Sequence, residues 1–341
     1  MMEDEVVKKR KWMTNQHFLD LVGATNLIPG PNSTEMTMHC GHERAGWKGL
    51  IVAGVCFVFP AVAITMVFAW LYQEYGQLPK VEPFIYGIKP AVIAIILGAV
   101  YRLGIKALKN VELGILGALT LIACLLGMHE ILALFACGFL GLALHFLRNS
   151  KNNLNGFAPL ILLQVITSVS SLKVFWIFLK VGALLYGSGY VLFAFLDAEL
   201  VSTGLLTRQA LIDAVAVGQF TPGPVLSTAT FIGWQLNGFW GAIAATVGIF
   251  LPSFIFVAIL NPLIPKMRKS KIIAAFLDAI NIAAVAVIVV VGLEMGKDTL
   301  TDWRTILIAI LSIIAVFVFK KMNSAFIVIG GAFAGYLLTL I

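Results

Sequence analysis

Four long apolar runs constrain the fold of this chain more than any other feature. They are Leu50–Tyr72, Phe84–Tyr101, Gly238–Ile264 and Ile272–Gly292. A helix of about 20 apolar residues crosses the hydrocarbon of a bilayer, where each backbone polar group has to be satisfied within the protein. Only 12% of the residues are charged, against roughly 25% in soluble domains. The runs therefore predict an all-α polytopic membrane protein.

A segment near the N-terminus recurs in the second half of the chain. TNQHFLDLVGATNLIPGPNST (Thr14–Thr34) aligns with TRQALIDAVAVGQFTPGPVLS (Thr207–Ser227) at an offset of about 193 residues. After a one-residue gap, Gly49 aligns with Gly241 and Pro60 with Pro252. The sequence therefore predicts two repeats, at residues 1–150 and 172–341, joined by a linker at 151–171.

The hydropathy pattern fits this division. We expect first-half spans near 50–72, 84–108, 111–127 and 131–147, one linking span within about 158–195, and second-half spans near 238–264, 272–293, 304–319 and 324–341. Each motif adds a pair of short half-helices. The apolar stretch Leu172–Phe195 precedes the second copy, whereas the first copy starts at Met1. We therefore expect either that the first repeat lacks its N-terminal helix or that the two repeats are unequal.

Charge is distributed oppositely in the two repeats. In the first, Lys8–Lys11 precede the motif, and the loop Gln73–Pro83 has one lysine against two glutamates. In the second, Glu199–Arg208 before the motif is nearly neutral, while Pro265–Lys271 carries four bases. Because basic loops stay on the cytoplasmic side, the repeats are predicted to have opposite topology. Inverted repeats with broken helices are typical of secondary transporters, whose sites lie between the repeats.

The net charge of +7 does not indicate nucleic-acid binding, because the bases cluster between apolar runs as loop residues do. The four cysteines form no C-x-x-C pair, so neither a disulfide framework nor a metal site is predicted. No cofactor is predicted either. The pattern fits a multi-pass membrane protein and leaves homo-oligomer formation open.

Each Pro-Gly-Pro motif predicts a helix break inside the membrane. Proline lacks an N–H and disfavours helix in the residue before it, so Pro29 and Pro222 end one half-helix, and Pro31 and Pro224 start the next. The new helix presents unpaired amides and a positive dipole end, which attract an anion. The predicted substrate-binding residues are Gly30, Asn32, Ser33 and Thr34 in the first repeat and Thr221, Gly223, Ser227 and Thr228 in the second. The alternative is that the motifs only kink membrane helices.

Two long motifs also carry a family resemblance. PGPNSTEMTMHCGHERAGWKG (Pro29–Gly49) and FTPGPVLSTATFIGWQLNGFWGAIAATVGIFLPSF (Phe220–Phe254) resemble the paired signatures of the chromate ion transporter (CHR) family, in its long two-domain form. The resemblance covers nearly the whole chain. It implies a carrier that exports chromate across the inner membrane, with sulfate as a competing oxyanion of similar shape and charge. The family's opening helix with its Phe-Gly-Gly-Pro turn has no counterpart before the first motif.

Glu35 is the most informative ionisable residue, because carboxylates inside a membrane are costly and by default functional. His39 lies one turn further on the same helix face. A protonatable Glu35–His39 pair beside an anion site predicts coupling of proton movement to transport. The alternative is that Glu35 caps its helix and that His39 lies near the membrane interface.

Other residues of the first motif allow weaker hypotheses. Arg44 is a candidate for steering the anion at the cytoplasmic mouth, or simply a topology anchor. A metal site is a further alternative, but its candidates lack the usual spacings; they are His39, Cys40, His42 and Glu43.

Two other function classes stay open. A divalent-cation carrier would use Glu35, Asp20 and Asp213 as ligands. A membrane enzyme would use Glu35 and His39 as acid and base. No P-loop motif is present in the sequence, so an ion gradient rather than nucleotide hydrolysis is the predicted energy source.

Overall fold

The computed structural model describes residues 2–25, 28–76, 78, 81–148, 170–186, 189–260, 270–319 and 322–340. This part of the chain is helical and contains no strand. The α-helices are α1 (Asn15–Thr25), α2 (Asn32–Tyr75), α3 (Glu82–Ala107), α4 (Val111–Leu125), α5 (Glu130–Arg148), α6 (Ser171–Leu184), α7 (Val191–Leu196), α8 (Arg208–Phe220), α9 (Thr228–Leu260), α10 (Lys271–Thr299), α11 (Trp303–Val318) and α12 (Ser324–Thr339).

Five of the described helical stretches are long and apolar enough to cross a membrane. They are Asn32–Tyr75, Glu82–Ala107, Glu130–Leu147, Val225–Ile259 and Lys271–Thr299. The prediction of an all-α polytopic membrane protein is thereby confirmed. Three predicted spans are shorter apolar helices, namely α4, α11 and α12. The predicted linker 151–171 lies almost wholly outside the described residues, as does the start of the linking span.

The two halves of the chain pack against each other reciprocally. In the first half, α3 packs on α11 and α12; in the second half, α10 packs on α4 and α5. In the alignment of the two repeats, α3, α4 and α5 correspond to α10, α11 and α12. Gly104 aligns with Gly296, and Asn110 aligns with Asp302. Each contact therefore has its counterpart, as a two-fold relation between the halves predicts. The opposite membrane orientation of the halves stays a prediction.

Both long helices after the motifs are sharply bent. In α2 the bend lies at Ala45 and Gly46, where Gly46 has φ 57° and ψ −143°. In α9 it lies at Asn237 and Gly238, where Gly238 has φ 57° and ψ −150°. Residues other than glycine rarely adopt this backbone conformation. The sequence analysis did not predict these bends.

Each bend folds the helix back on itself. A Cβ atom added to Gly49 would overlap the carbonyl oxygen of Gly41, and one added to Gly241 would overlap that of Gly233. Residues eight apart in a straight helix are separated by about 12 Å. The contacts therefore make Asn32–Arg44 the first arm of a helical hairpin, and the second half repeats this hairpin.

Equivalent caps begin α4 and α11, and they give a first testable prediction. The Asn110 side chain accepts from the Leu113 amide, and Asp302 accepts from the Thr305 amide at 2.8 Å and from the Tyr86 hydroxyl. Loss of such a cap costs about 1 kcal/mol. We expect Asn110→Ala to lower the unfolding temperature in detergent slightly, and Asp302→Ala to lower it more, because Asp302 also ties α11 to α3.

The same two caps differ in their response to pH. Hydrogen bonds, first from Tyr86 and then from Thr305, lower the pKa of Asp302. A carboxyl whose pKa is lowered on folding stabilises the protein above its unfolded pKa of about 3.9 and loses that contribution as pH falls further. The effect of Asp302→Ala should therefore shrink below about pH 4, whereas that of Asn110→Ala should not. Equal pH dependence of both variants would contradict this.

Candidate functional site

The chain leaves helical geometry at both Pro-Gly-Pro motifs. In the first break, α1 ends at Thr25 and α2 begins at Asn32, with Gly30 at φ +140°. In the second break, α8 ends at Phe220 and a 3₁₀ turn, Val225–Ser227, leads into α9, with Gly223 at φ +128°. These φ values favour glycine over any other residue. Each proline pair thus frames one position that requires a glycine.

Each break contacts the long helix of the opposite half. A Cβ atom on Gly30 would overlap the Ser253 hydroxyl of α9, and one on Gly223 would lie 2.6 Å from the Ala61 Cβ of α2. Ser253 and Ala61 directly follow the paired prolines of α9 and α2. The two contacts are therefore equivalent under the repeat, and both breaks lie against the α2–α9 pair.

Buried polar groups without hydrogen bonds collect beside the breaks. Four residues have side chains that are fully buried and polar atoms without a partner in the described structure. They are Thr34, Glu35, Ser227 and Ser253. Leaving such a group unsatisfied costs about 1–3 kcal/mol, so proteins seldom retain several together without a function. A bound ligand with acceptor oxygens would satisfy the three hydroxyls.

The structure separates the predicted binding residues into two groups. Thr34 and Ser227 have buried hydroxyls that are free to bind, whereas Asn32 and Ser33 are exposed. Thr221 and Thr228 are buried, but their hydroxyls donate at 2.8 Å to the carbonyls of their own turns, those of Val217 and Val225.

Gly30 was predicted to bind the substrate, and its amide already has a partner. The amide donates to the Leu185 carbonyl at 2.7 Å. That carbonyl belongs to the segment after α6, which holds the first break in place. The amide is therefore committed to a structural hydrogen bond, and Gly30 contributes through its conformation and its lack of a side chain.

Glu35 lies at the first break itself. Its carboxylate oxygen Oε1 adjoins Gly30 on the same side as the Ser253 hydroxyl, and neither carboxylate oxygen accepts a hydrogen bond. Glu35 lies in the first turn of α2 and makes no capping hydrogen bond there. His39 is fully buried within the protein. The carboxylate thus stays available beside the break.

The remaining candidates of the first motif lie apart from this group. Arg44 is exposed and ends the first arm of the hairpin. Glu43 lies 3.2 Å from His17 Nε2, and the His42 ring packs edge-on against Trp47 at 6.3 Å. Among the described residues, no three His, Cys, Asp or Glu side chains are grouped to hold a metal ion.

Sequence reasoning missed a seam of contacts between α2 and α8. Thr65 lies opposite Thr221 with the hydroxyls 3.5 Å apart, and the Phe68 and Phe220 rings pack edge-on. Further along, the Tyr72 hydroxyl donates to Asp213 Oδ2 at 2.6 Å, and Lys89 Nζ of α3 lies 3.7 Å from Asp213 Oδ1. Because these partners are far apart in sequence, no local pattern indicated them.

Known proteins resemble this chain over nearly its whole length. A family model described as chromate transporter matches residues 1–142 and 172–336. The chromate transport protein of Cupriavidus metallidurans is 30% identical, over 98% of this chain and 86% of that protein. A probable chromate transport protein of Synechococcus elongatus is 29% identical, over 98% of this chain and 88% of that protein. A chromate transport protein of Pseudomonas aeruginosa is 27% identical, over 99% of this chain and 86% of that protein. No solved structure matches.

Proposed function

The chain belongs to the chromate transporter family, and on that premise we propose that it is a secondary active carrier that exports chromate across the inner membrane. Sulfate, a tetrahedral dianion of similar size, would compete. The observation that carries this proposal is the reciprocal contact of each helix break with the opposite half. Carriers with inverted repeats bind their substrate where the repeats meet.

The buried hydroxyls beside the breaks fit an oxyanion. Thr34, Ser227 and Ser253 each offer an O–H that no group in the described structure accepts, and an oxyanion presents only acceptors. The first turns of the helices that follow the breaks add the positive dipole end. In this structure the surroundings of Gly30 are closely packed. Binding of an oxyanion beside Gly30 would therefore require the halves to move apart.

Glu35 gives the carrier its candidate coupling group. A negatively charged Glu35 beside Gly30 would repel a dianion, whereas a protonated Glu35 would offer an additional donor. Binding of the oxyanion and of a proton are therefore linked at this position. His39, one turn away and also buried, would pass the proton toward or away from the break. Arg44 would attract the anion at the cytoplasmic end.

The test is radiolabelled chromate flux in inverted membrane vesicles under an imposed proton gradient. We expect the wild type to accumulate chromate, and sulfate but not divalent metal ions to compete. Glu35→Gln should keep chromate binding but lower the gradient-driven flux about 100-fold or more, the loss expected for a positioned proton-transfer group. Ser33→Ala/Thr34→Ala should raise the KM.

The separate variants Ser33→Ala and Thr34→Ala offer a matched comparison of an exposed and a buried hydroxyl. Thr34 is buried without a partner, and Ser33 is exposed, so Thr34→Ala alone should reproduce the defect and Ser33→Ala should be nearly silent. Unchanged flux in Glu35→Gln and Thr34→Ala would refute the assigned site but not the family. Competition by divalent cations would instead support a cation carrier.

A further inference from the structure

A second buried carboxylate lies in α8, seven residues before the end of that helix at the second break. Asp213 of α8 is 4% exposed, and two side chains of the first half face it, Tyr72 of α2 and Lys89 of α3. These two are also the charged or titratable groups that act on Asp213 electrostatically. The cluster therefore joins the two halves of the protein.

The contact between Lys89 and Asp213 is loose. The Tyr72 hydroxyl holds Asp213 Oδ2 at 2.6 Å, while Lys89 Nζ lies 3.7 Å from Oδ1, which accepts no hydrogen bond. The Lys89 side chain is 20% exposed. If Lys89 moved away, Asp213 would therefore keep the hydrogen bond from Tyr72, which is the shorter of its two contacts. The ammonium is held by charge alone and is able to bind another anion.

Arg208 and Asp197 show how a structural ion pair differs. Asp197 is also buried, and Arg208 binds both of its oxygens, at 3.1 and 3.2 Å. Arg208 further contacts Glu294 at 2.8 Å and Asp298 at 3.5 Å. This two-pronged pair is fixed in geometry, whereas the Lys89–Asp213 pair is not.

The cluster lies on the way to the second break. From Asp213, α8 runs seven residues to Phe220, about 10 Å along its axis. Over that distance α8 contacts α2 through the Phe68 ring and the Thr65 hydroxyl. Tyr72 is near the end of α2 that leads into the loop before α3. An ion that moved between that end of the protein and the second break would pass Lys89.

We propose that Lys89 is an oxyanion-binding residue on this route and that Asp213 is the internal carboxylate that occupies Lys89 when no substrate is bound. The inference rests on the proposed oxyanion transport. A dianion inside the membrane needs a compensating charge, and Lys89 supplies one. The arriving oxyanion displaces Asp213, which stays bound to Tyr72. Departure of the substrate lets Lys89 and Asp213 pair again.

Equilibrium exchange of radiolabelled chromate, measured with the purified full chain in proteoliposomes, tests this assignment. Exchange needs no proton gradient, so it isolates binding from coupling. Lys89→Gln should raise the KM for chromate about tenfold or more, as expected for loss of a charged hydrogen-bonding partner. Asp213→Asn should lower the KM, because it removes the competing carboxylate. The double variant should resemble Lys89→Gln.

A structural ion pair predicts a different pattern. Each single change would then raise the KM, and the double variant would recover the wild-type KM. That recovery would overturn the assignment. Arg208→Gln, Asp197→Asn and their double variant serve as the structural control. If Asp213→Asn fails to fold, Tyr72→Phe replaces it. This change frees Asp213 to pair more closely with Lys89 and should raise the KM; an unchanged KM would count against the assignment.

Failure of this inference differs from failure of the proposed function. A wild-type protein that exchanges neither chromate nor sulfate would refute the proposed function, and this assignment with it. Wild-type exchange with an unchanged KM in Lys89→Gln would refute the role of Lys89 alone.

Discussion

Gly30→Ala is expected to abolish chromate transport while folded protein still accumulates in the membrane. Gly30 has φ +140°, a conformation that costs a residue with a side chain about 1–3 kcal/mol. The added Cβ atom would also overlap the Glu35 carboxylate and the Ser253 hydroxyl. Both groups belong to the proposed site, so relief of the overlap displaces the binding and coupling groups together. A misplacement of about 1 Å in positioned groups can lower a rate about 100-fold, and we expect a loss of flux of that size or more.

Two other glycines separate the causes of that loss. Gly127 has φ +93°, but its Cβ atom would meet nothing within 4 Å, so Gly127→Ala reports the conformational strain alone and should transport. Gly223→Ala adds a contact with Ala61 at the equivalent break and should be as defective as Gly30→Ala. The measurement is initial flux normalised to the amount of folded protein. Wild-type flux in Gly30→Ala would contradict the closed packing of the first break.

Gly49→Ala and Gly241→Ala are expected to prevent folding rather than transport alone. In each hairpin the added Cβ atom would overlap a backbone carbonyl oxygen, that of Gly41 or of Gly233. A backbone atom cannot rotate away as a side chain does, so the arms would have to separate. Overpacking of this kind costs about 3 kcal/mol or more, and the opened hairpin would also move the helix break at its start.

Gly296→Ala is the matched control for these two variants. Gly296 lies in a long helix of the second half, and its Cβ atom would meet nothing within 4 Å. Alanine is the better helix former, by about 1 kcal/mol, so this variant should be at least as stable as the wild type. The measurement for all three variants is the yield of monodisperse protein after gel filtration. Normal yields of Gly49→Ala would show that the hairpin arms are not closely packed.

The helix breaks could be predicted from sequence because proline and glycine act locally. Single prolines such as Pro60 and Pro252 stay inside α2 and α9, but two prolines around a glycine interrupt the helix at each motif, and the repeat made both motifs easy to recognise. The bends at Gly46 and Gly238 carried a signal too. Each lies between two glycines eight residues apart, at the same spacing in both halves, but glycine in an apolar helix is too common for this pattern to indicate a hairpin by itself.

The side chains that complete the site could not be predicted in the same way. Ser253 lies beside Gly30 only because α9 packs on α2. Asp213 has Tyr72 and Lys89 as partners because three helices from both halves meet there. Such contacts depend on the packing of distant segments, whereas propensity and periodicity describe neighbours along the chain.

The reciprocal packing of α3 with α11 and α12, and of α10 with α4 and α5, has a consequence for how the molecule is assembled. The main packing partners of α3 and of α10 lie in the other half of the chain. A fragment ending at residue 148 and one starting at residue 170, each synthesised alone, should be degraded. Produced together in one cell, the same fragments should associate and restore chromate transport, because the described contacts between the halves lie in these helices.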